Sequence, residues 1–176
     1  GFSVIVLEAQ RIAWGASGRS GGQAIFGFGC DQSKITAEVG LATSQKMFDW
    51  SIEGIDLIKK RCAKYAIGCY WRDLHAHVPI KARRVTELKV LQQDVAENFK
   101  YTLQWWDQQQ LQEVMPNNRY LGALIDTQSG HLHPLKYTQG LAKAALTLGV
   151  KIFENSKVTR LARNAKPVFK TQHGEV

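Results

Sequence analysis

An apolar run that ends in a single acidic residue opens the chain, and it constrains the fold more than any other feature. Val4 to Leu7 is uninterrupted apolar sequence, and Glu8 follows it directly. Such a run predicts a parallel strand that is covered on both faces. An acid at its carboxyl end is typical of the second strand of a dinucleotide-binding unit, where the carboxylate accepts the ribose hydroxyls of the cofactor. The alternative, of equal weight from the strand alone, is an acid that merely faces water.

A glycine-rich stretch from Trp14 to Gln23 follows this strand. Its central part, Ser17 to Gly22, combines glycines with two hydroxyls and the guanidinium of Arg19. Glycines let the backbone approach a ligand closely, and a helix that begins beyond them favours anionic groups. The stretch therefore predicts a long functional loop that runs into a helix N-terminus and binds a pyrophosphate. A glycine-rich turn alone says little, and its position after the acid-terminated strand makes it more specific.

The rest of the chain alternates helical and strand patterns. Apolar residues at three- and four-residue intervals predict a long helix over 36–66 with a shorter one before it, and another from Val85 to Phe99. Pro134 and Gly149 bracket a further helix. Strands are predicted at 68–78, 120–126, 150–153, 157–161 and 168–171, with a helical turn at 111–115 and a turn at Ser129-Gly130. This order indicates an α/β core interrupted by a second lobe.

Composition restricts the classes of partner. The net charge is +8, but the basic residues are scattered, with short clusters at Lys59–Arg61 and Lys81–Arg84 on expected solvated faces, so nucleic acid is not predicted as a partner. No apolar run approaches the length of a membrane span, so no membrane partner is predicted either. Cys30, Cys62 and Cys69 form an odd set without CxxC spacing. They predict free thiols in a reducing compartment, and hence a cytoplasmic protein.

Two histidine pairs share one spacing. His75 and His77, and likewise His131 and His133, are two residues apart, which places each pair on one face of a strand. Such pairs can in principle bind a metal, but no acid or cysteine shares the spacing, so no metal is predicted. No G-x-S-x-G follows a strand, which gives no support to a serine hydrolase.

Three blocks of the sequence resemble one family. The blocks are Leu7 to Gln23, Tyr120 to Asp126 with Ser129 to Pro134, and Gly140 to Gly149 with the strand at Lys157 to Leu161. Together they resemble FAD-dependent oxidoreductases of the D-amino acid oxidase family, and within it the γ-glutamylputrescine oxidoreductase branch. The resemblance covers nearly the whole chain, which is similar to an internal part of such an enzyme.

The resemblance implies a fold of the α/β (α+β) class. It implies a partial Rossmann-like FAD-binding domain in residues 1–66 and 131–176, interrupted by a partial strand-and-helix substrate lobe in residues 67–130. Because only seven residues precede Glu8, we expect the first strand and its G-x-G-x-x-G turn to lie outside the chain, about 20 residues before the acid. We therefore expect poor FAD affinity in the chain alone, and an exposed sheet edge through which a homodimer could form.

The resemblance also implies which residues bind the cofactor. By position, Glu8 would bind the adenosine ribose, and Val158 would meet the adenine through its backbone groups. The pyrophosphate and flavin side would be lined by Ser17, Gly18, Arg19, Ser20, Gly21, Gly22 and Gln23. Ser20 stands where this family commonly has asparagine, and its hydroxyl can still bond to a phosphate or the flavin edge. Trp71 to Leu74 lacks the paired glycines expected in the substrate lobe, so the substrate contacts and the catalytic residues are not predicted.

The activity implied is oxidation of an amine at its C–N bond. A hydride passes to FAD, the imine hydrolyses to an aldehyde and ammonia, and oxygen reoxidises the flavin to yield hydrogen peroxide. The branch implies γ-glutamylputrescine, an intermediate of putrescine breakdown, as the small-molecule substrate. Two alternatives stay open. The first is an inactive, truncated flavoprotein-like module with a binding or structural role, and the second is a family member that oxidises another amine or an amino acid.

Overall fold

The computed structural model describes residues 2–163 and 167–176, which form a mixed α/β fold. The helices are α1 (Ala16–Arg19), α2 (Gln32–Val39), α3 (Leu41–Lys64), α4 (Ala82–Phe99), α5 (Gln108–Val114) and α6 (Pro134–Thr147). The strands are β1 (Ile5–Leu7), β2 (Gln23–Ala24), β3 (Arg72–His77), β4 (Gln104–Trp106), β5 (Ala123–His131), β6 (Lys151–Phe153), β7 (Arg160–Ala162) and β8 (Val168–Lys170). None of the described helices is both long enough and apolar enough to cross a membrane.

The chain divides into two compact units. The first comprises residues 1–22, 60–70 and 132–176, and the second comprises residues 23–59 and 71–131. The division expected from the sequence differs from this one, since it assigned residues 23–59 and residue 131 to the first part and residues 67–70 to the second. The roles of the two parts, cofactor binding and substrate binding, stay predictions.

The first unit is built around the parallel pair of β1 and β6. Ile5 lies opposite Lys151 and Leu7 lies opposite Phe153. The prediction that β1 is covered on both faces was wrong for the described residues, because Ile5 and Val6 are 38% and 39% exposed. In this part of the chain β6 is the one strand paired with β1, and a parallel strand is buried only where strands and helices lie against both sides.

The second unit is organised by β5, its longest strand. β3 pairs with one edge of β5, while β2 and β4 pair with the other. The predicted turn at Ser129-Gly130 was wrong, because both residues lie inside β5. Gly130 passes so close to β3 that a Cβ there would lie 2.4 Å from the carbonyl oxygen of Arg72. Strand pairing and close packing therefore override a local sequence that is typical of turns.

Helices α3 and α4 contribute large side chains to the core of the second unit. Phe48 is 1% exposed and Val95 is fully buried. The ring of Phe48 lies 4.8 Å from that of Phe99 and 5.4 Å from that of Tyr101, centroid to centroid. Such tilted and edge-on pairs add to the free energy gained from burial alone. The predicted long helix with a shorter one before it, and the predicted helix through Phe99, are confirmed by α2, α3 and α4.

Two helical glycines predict opposite effects of the same substitution. Gly140 in α6 lies against Ile67, and an added Cβ would lie 2.3 Å from Cγ2 of that side chain. Gly54 in α3 has no neighbouring atom within 4 Å of such a Cβ. Alanine at position 54 should raise the free energy of unfolding by about 0.5–1 kcal/mol, since glycine is the poorer helix former. Alanine at position 140 should lower it by about 1–3 kcal/mol, because overpacking outweighs propensity.

Urea denaturation of both variants measures the two changes. If Gly140→Ala is as stabilising as Gly54→Ala, then α6 does not pack against Ile67 as closely as the structure shows.

Candidate flavin site

Glu8 lies at the carboxyl end of β1, where its backbone continues the contact with β6. Its N–H donates to the carbonyl of Phe153 at 2.9 Å, and its own carbonyl accepts from Ser156 N–H at 2.8 Å. The carboxylate oxygen Oε1 accepts from Gln10 N–H at 2.8 Å, which turns the chain away from the strand. A carboxylate offers about four lone-pair positions. One backbone bond therefore leaves Glu8, which is half-buried, able to accept ribose hydroxyls.

The loop after Glu8 is closed by contacts within itself. Arg19 Nε donates to the carbonyl of Trp14 at 2.6 Å, and its guanidinium carbon lies 4.5 Å from the centre of the Trp14 ring. Gly18 leaves no room for a side chain, because a Cβ there would lie 2.0 Å from the carbonyl oxygen of Ala13. The turn of α1 is therefore packed directly onto the start of the loop, and both Ser17 and Arg19 remain exposed.

Gly22 joins the end of the loop to the segment that precedes α6. Its carbonyl accepts from Leu132 N–H at 2.9 Å, and its own N–H lies 3.4 Å from the hydroxyl oxygen of Ser20. Its φ of +70° is in the left-handed region, and an added Cβ would lie 2.0 Å from the Leu132 carbonyl oxygen. Only glycine meets both conditions without strain.

The predicted run of the loop into a helix N-terminus was wrong. The chain passes from Gly22 into the short strand β2, where Gln23 pairs with His131. The next helix, α2, begins only at Gln32. Gln23 is exposed in the second unit, whereas the other eight residues expected to bind the cofactor, Glu8 to Gly22 and Val158, belong to the first.

Val158 lines an apolar cavity in the first unit. It lies just before β7 and not within a strand as the sequence predicted. The cavity has a volume of about 410 Å³, and its walls include Ile5, Leu7, Phe169 and Val176. Ligand pockets are mostly apolar and span roughly 300–1,000 Å³. Size and lining therefore suit a flat heterocycle such as adenine.

These features fit a bound dinucleotide. An acceptor carboxylate follows a parallel strand, an apolar cavity lies beside that strand, and a glycine loop with exposed hydroxyls and a guanidinium follows the acid. In open α/β sheets, ligands bind outside the carboxyl ends of the strands. The assignment of the ribose, the adenine and the phosphates of FAD to these residues stays a prediction.

Comparison with known proteins identifies the family. The family model described as DAO, FAD dependent oxidoreductase, matches residues 1–176. The chain belongs to this family. It is 44% identical over 159 residues to the probable oxidoreductase OrdL of Haemophilus influenzae, covering 90% of this chain and 37% of that protein. It is 32% identical to the γ-glutamylputrescine oxidoreductase of Escherichia coli, covering 100% of this chain and 41% of that protein.

A solved structure extends the comparison to the fold. L-Amino acid deaminase from Proteus myxofaciens superimposes with a TM-score of 0.78 at 19% sequence identity, covering 99% of this chain and 38% of that one. The α/β fold inferred from the sequence is confirmed by this likeness. The chain spans about two fifths of the length of the two curated relatives.

The second unit of this DAO-family chain contains a buried carboxylate that sequence reasoning did not single out. Asp126 is fully buried in β5, and its Oδ1 accepts from Tyr101 OH at 2.8 Å and from Gln128 N–H at 2.9 Å. Among the described residues its Oδ2 has no hydrogen-bond partner. Burial, followed by the bond to Asp126, raises the pKa of Tyr101. An acid that directly follows three apolar strand residues was the signal available in the sequence.

His75 and His77 lie on the same strand, with ring centroids 4.8 Å apart. His75 lies opposite Asp126 in the pairing of β3 with β5. Burial lowers the pKa of both histidines, and for His77 the neighbouring His75 lowers it further. Within residues 2–163 and 167–176, no group of three or more potential ligands is arranged to hold a metal ion.

The lowered histidine pKa values predict a dependence of stability on pH. At pH values between the lowered pKa of these histidines in the folded state and their pKa of about 6.5 in the unfolded state, the unfolded chain binds more protons than the folded one. The free energy of unfolding should therefore fall as the pH drops below about 6.5. Urea denaturation between about pH 5 and pH 8 measures this change, and His77→Gln should reduce its slope below about pH 6.5. An unchanged slope in that variant would contradict the assignment.

Proposed function

We propose that the protein oxidises a small amine at its C–N bond with FAD. The observation that carries the proposal is the strand–acid–glycine-loop arrangement, in which Glu8 ends β1 and Gly22 closes the loop beyond it. When bound, FAD accepts the hydride from the amine carbon. The protein binds and orients the cofactor through Glu8, Ser17, Gly18, Arg19, Ser20, Gly21, Gly22, Gln23 and Val158.

In this proposal the two parts of the chain have different tasks. The first unit holds the adenosine end of FAD, because it contains Glu8, Val158 and the apolar cavity. The second unit belongs to the substrate lobe. Burial lowers the pKa of its His75 and His77, which favours neutral rings whose nitrogens can accept hydrogen bonds.

We take γ-glutamylputrescine, or a similar amine, as the substrate and hydrogen peroxide as a product. The support is the 32% identity to a γ-glutamylputrescine oxidoreductase across the whole chain. The alternative within the same family is oxidation of a different amine or of an amino acid. The L-amino acid deaminase that shares the fold illustrates that alternative.

A panel of amines offered to the full-length protein tests these proposals. The panel contains γ-glutamylputrescine, putrescine, a secondary amine and several amino acids, and the readouts are loss of flavin absorbance without oxygen and hydrogen peroxide release with oxygen. We expect γ-glutamylputrescine to give the highest kcat/KM. A higher kcat/KM for an amino acid would show that the proposed substrate is wrong, while the proposed reaction at the C–N bond would stand. If the protein binds FAD but no compound in the panel reduces the flavin, the result would support the inactive binding module.

Among residues 2–163 and 167–176, one edge of β1 has no partner strand, and this edge leads to a proposal about assembly. Val4, Ile5 and Val6 are 44%, 38% and 39% exposed, and exposed apolar strand edges pair with other strands. We propose that this edge forms a homodimer in the absence of another strand beside it. A lysine at Val6 should then shift the mass measured by light scattering from dimer to monomer. If the chain with Val6 unchanged is monomeric at every concentration, this mode of assembly is excluded.

We also propose a cytoplasmic location. The support is the set of free cysteines, none of which is joined in a disulfide in the structure, since reducing compartments keep thiols free. Fractionation of cells that express a tagged full-length protein tests this location, and recovery in a secreted or membrane fraction would contradict it.

A further inference from the structure

Two of the three thiols are in contact with each other. Sγ of Cys62 lies 3.3 Å from Sγ of Cys69. Cys69 is 1% exposed, Cys62 is half-buried, and Cys30 is exposed elsewhere in the chain. We infer that Cys62 and Cys69 form a dithiol site that a small-molecule disulfide such as oxidised glutathione converts to an intramolecular disulfide bond. Neither the family assignment nor the cofactor site gives these residues a role.

The backbone between the two cysteines holds the sulfurs together. Cys62 lies in the last turn of α3, and its carbonyl accepts from Ile67 N–H at 2.9 Å. The carbonyl of Ile67 in turn accepts from Cys69 N–H at 2.9 Å. These bonds fold the chain back after the helix, so that Cys69 returns to the face that carries Cys62. A disulfide needs a sulfur–sulfur distance of about 2.05 Å, so the sulfurs must approach by roughly 1.3 Å.

The exchange proceeds in two balanced steps. The more accessible thiolate, Cys62, attacks one sulfur of glutathione disulfide, forms a mixed disulfide and releases one glutathione thiolate. The Cys69 thiolate then attacks the Cys62 sulfur and expels the second glutathione. The protein dithiol is oxidised by two electrons, glutathione disulfide is reduced to two glutathione molecules, and the two thiol protons pass to the leaving thiolates.

The environment makes this a slow site. Burial, followed by the contact with Cys69, raises the pKa of Cys62 to about 12. The thiolate is therefore scarce at neutral pH, and the rate of exchange should rise with pH. Exposed Cys30 should react first, which makes it an internal reference for access of the reagent.

The bond would fasten α3 to a segment that supports α6. The carbonyl of Cys69 accepts from His133 N–H at 2.7 Å, immediately before α6 begins. Ile67, between the cysteines, lies against Gly140 within α6. The N–H of Leu132, the residue before His133, donates a hydrogen bond to the carbonyl of Gly22 in the cofactor loop. Backbone hydrogen bonds therefore connect Cys69, through the segment that precedes α6, to that loop.

Peptide mapping after equilibration with glutathione tests the inference. The purified full-length protein is incubated at mildly alkaline pH with mixtures of oxidised and reduced glutathione, quenched with iodoacetamide and digested with trypsin. Cleavage after Arg61, Lys64 and Arg72 puts Cys62 and Cys69 on separate peptides. We expect these peptides to be joined by a disulfide as the share of oxidised glutathione rises, while the peptide with Cys30 carries glutathione.

Single variants separate the two steps of the exchange. Cys69→Ala should leave Cys62 with a stable glutathione adduct, because no thiol remains to displace it. Cys30→Ser should leave the joined peptides unchanged, which excludes exchange through Cys30. The inference is wrong if Cys62 and Cys69 both stay thiols while Cys30 is fully converted, or if Cys62 in the parent protein retains glutathione.

Discussion

Alanine at Gly22 should lower the free energy of unfolding by about 2–4 kcal/mol, the largest effect we expect from any single methyl group in this chain. Two costs add. A left-handed φ of +70° is unfavourable for alanine, and the added Cβ would lie 2.0 Å from the carbonyl oxygen of Leu132. The obstacle is backbone, which cannot rotate away as a side chain can. Relief requires the bond from Leu132 N–H to the Gly22 carbonyl to lengthen or break.

Gly15 provides the matched control in the same loop. Its φ is −80°, and nothing lies within 4 Å of an added Cβ. Gly15→Ala should therefore cost no more than about 1 kcal/mol, the price of a less suitable N-cap residue. Urea denaturation of both variants, with FAD content after purification as a second readout, makes the comparison. Equal stabilities would mean that the loop is not held against Leu132, and the proposed cofactor site would lose its supporting contact.

The helices of this chain could be predicted because their signals are local. Pro134 and Gly149 bracket α6, and a regular spacing of apolar residues marks α4. The second half of β5 could not, because Ser129 and Gly130 are residues typical of turns. They form a strand because β2 and β3 pair with both of its edges there. Pairing between distant segments leaves little trace in the local sequence.

The site shows the same division between local and distant information. The place of Glu8 after an apolar strand was readable from a few consecutive residues, and its position at the end of β1 agrees. The reason for glycine at positions 18 and 22 was not readable, since it lies in the carbonyls of Ala13 and Leu132. The contact between Cys62 and Cys69 was equally hidden, because the two residues are seven apart and lack CxxC spacing.

Glutamine at Glu8 should weaken FAD binding by about 10- to 100-fold, because hydrogen bonds to a charged group contribute roughly 1.5–3 kcal/mol. The substitution keeps the size of the side chain and removes its charge. Its amide oxygen can still accept from Gln10 N–H, as Glu8 Oε1 does at 2.8 Å. The turn after β1 should therefore persist, and the loss should appear in the affinity for FAD and not in the free energy of unfolding.

Glu154 supplies the control, because it plays the same part in the backbone without a predicted cofactor contact. Glu154 directly follows the end of β6. Its Oε1 accepts a hydrogen bond from Ile12 N–H at 2.7 Å. Glu154→Gln should leave the dissociation constant for FAD within about twofold of the parent value. Titration of the flavin-free full-length variants with FAD, followed by fluorescence, gives both constants. Equal affinity in all three proteins would show that the carboxylate at the end of β1 faces water alone, whereas a selective loss in Glu8→Gln would place it on the ribose.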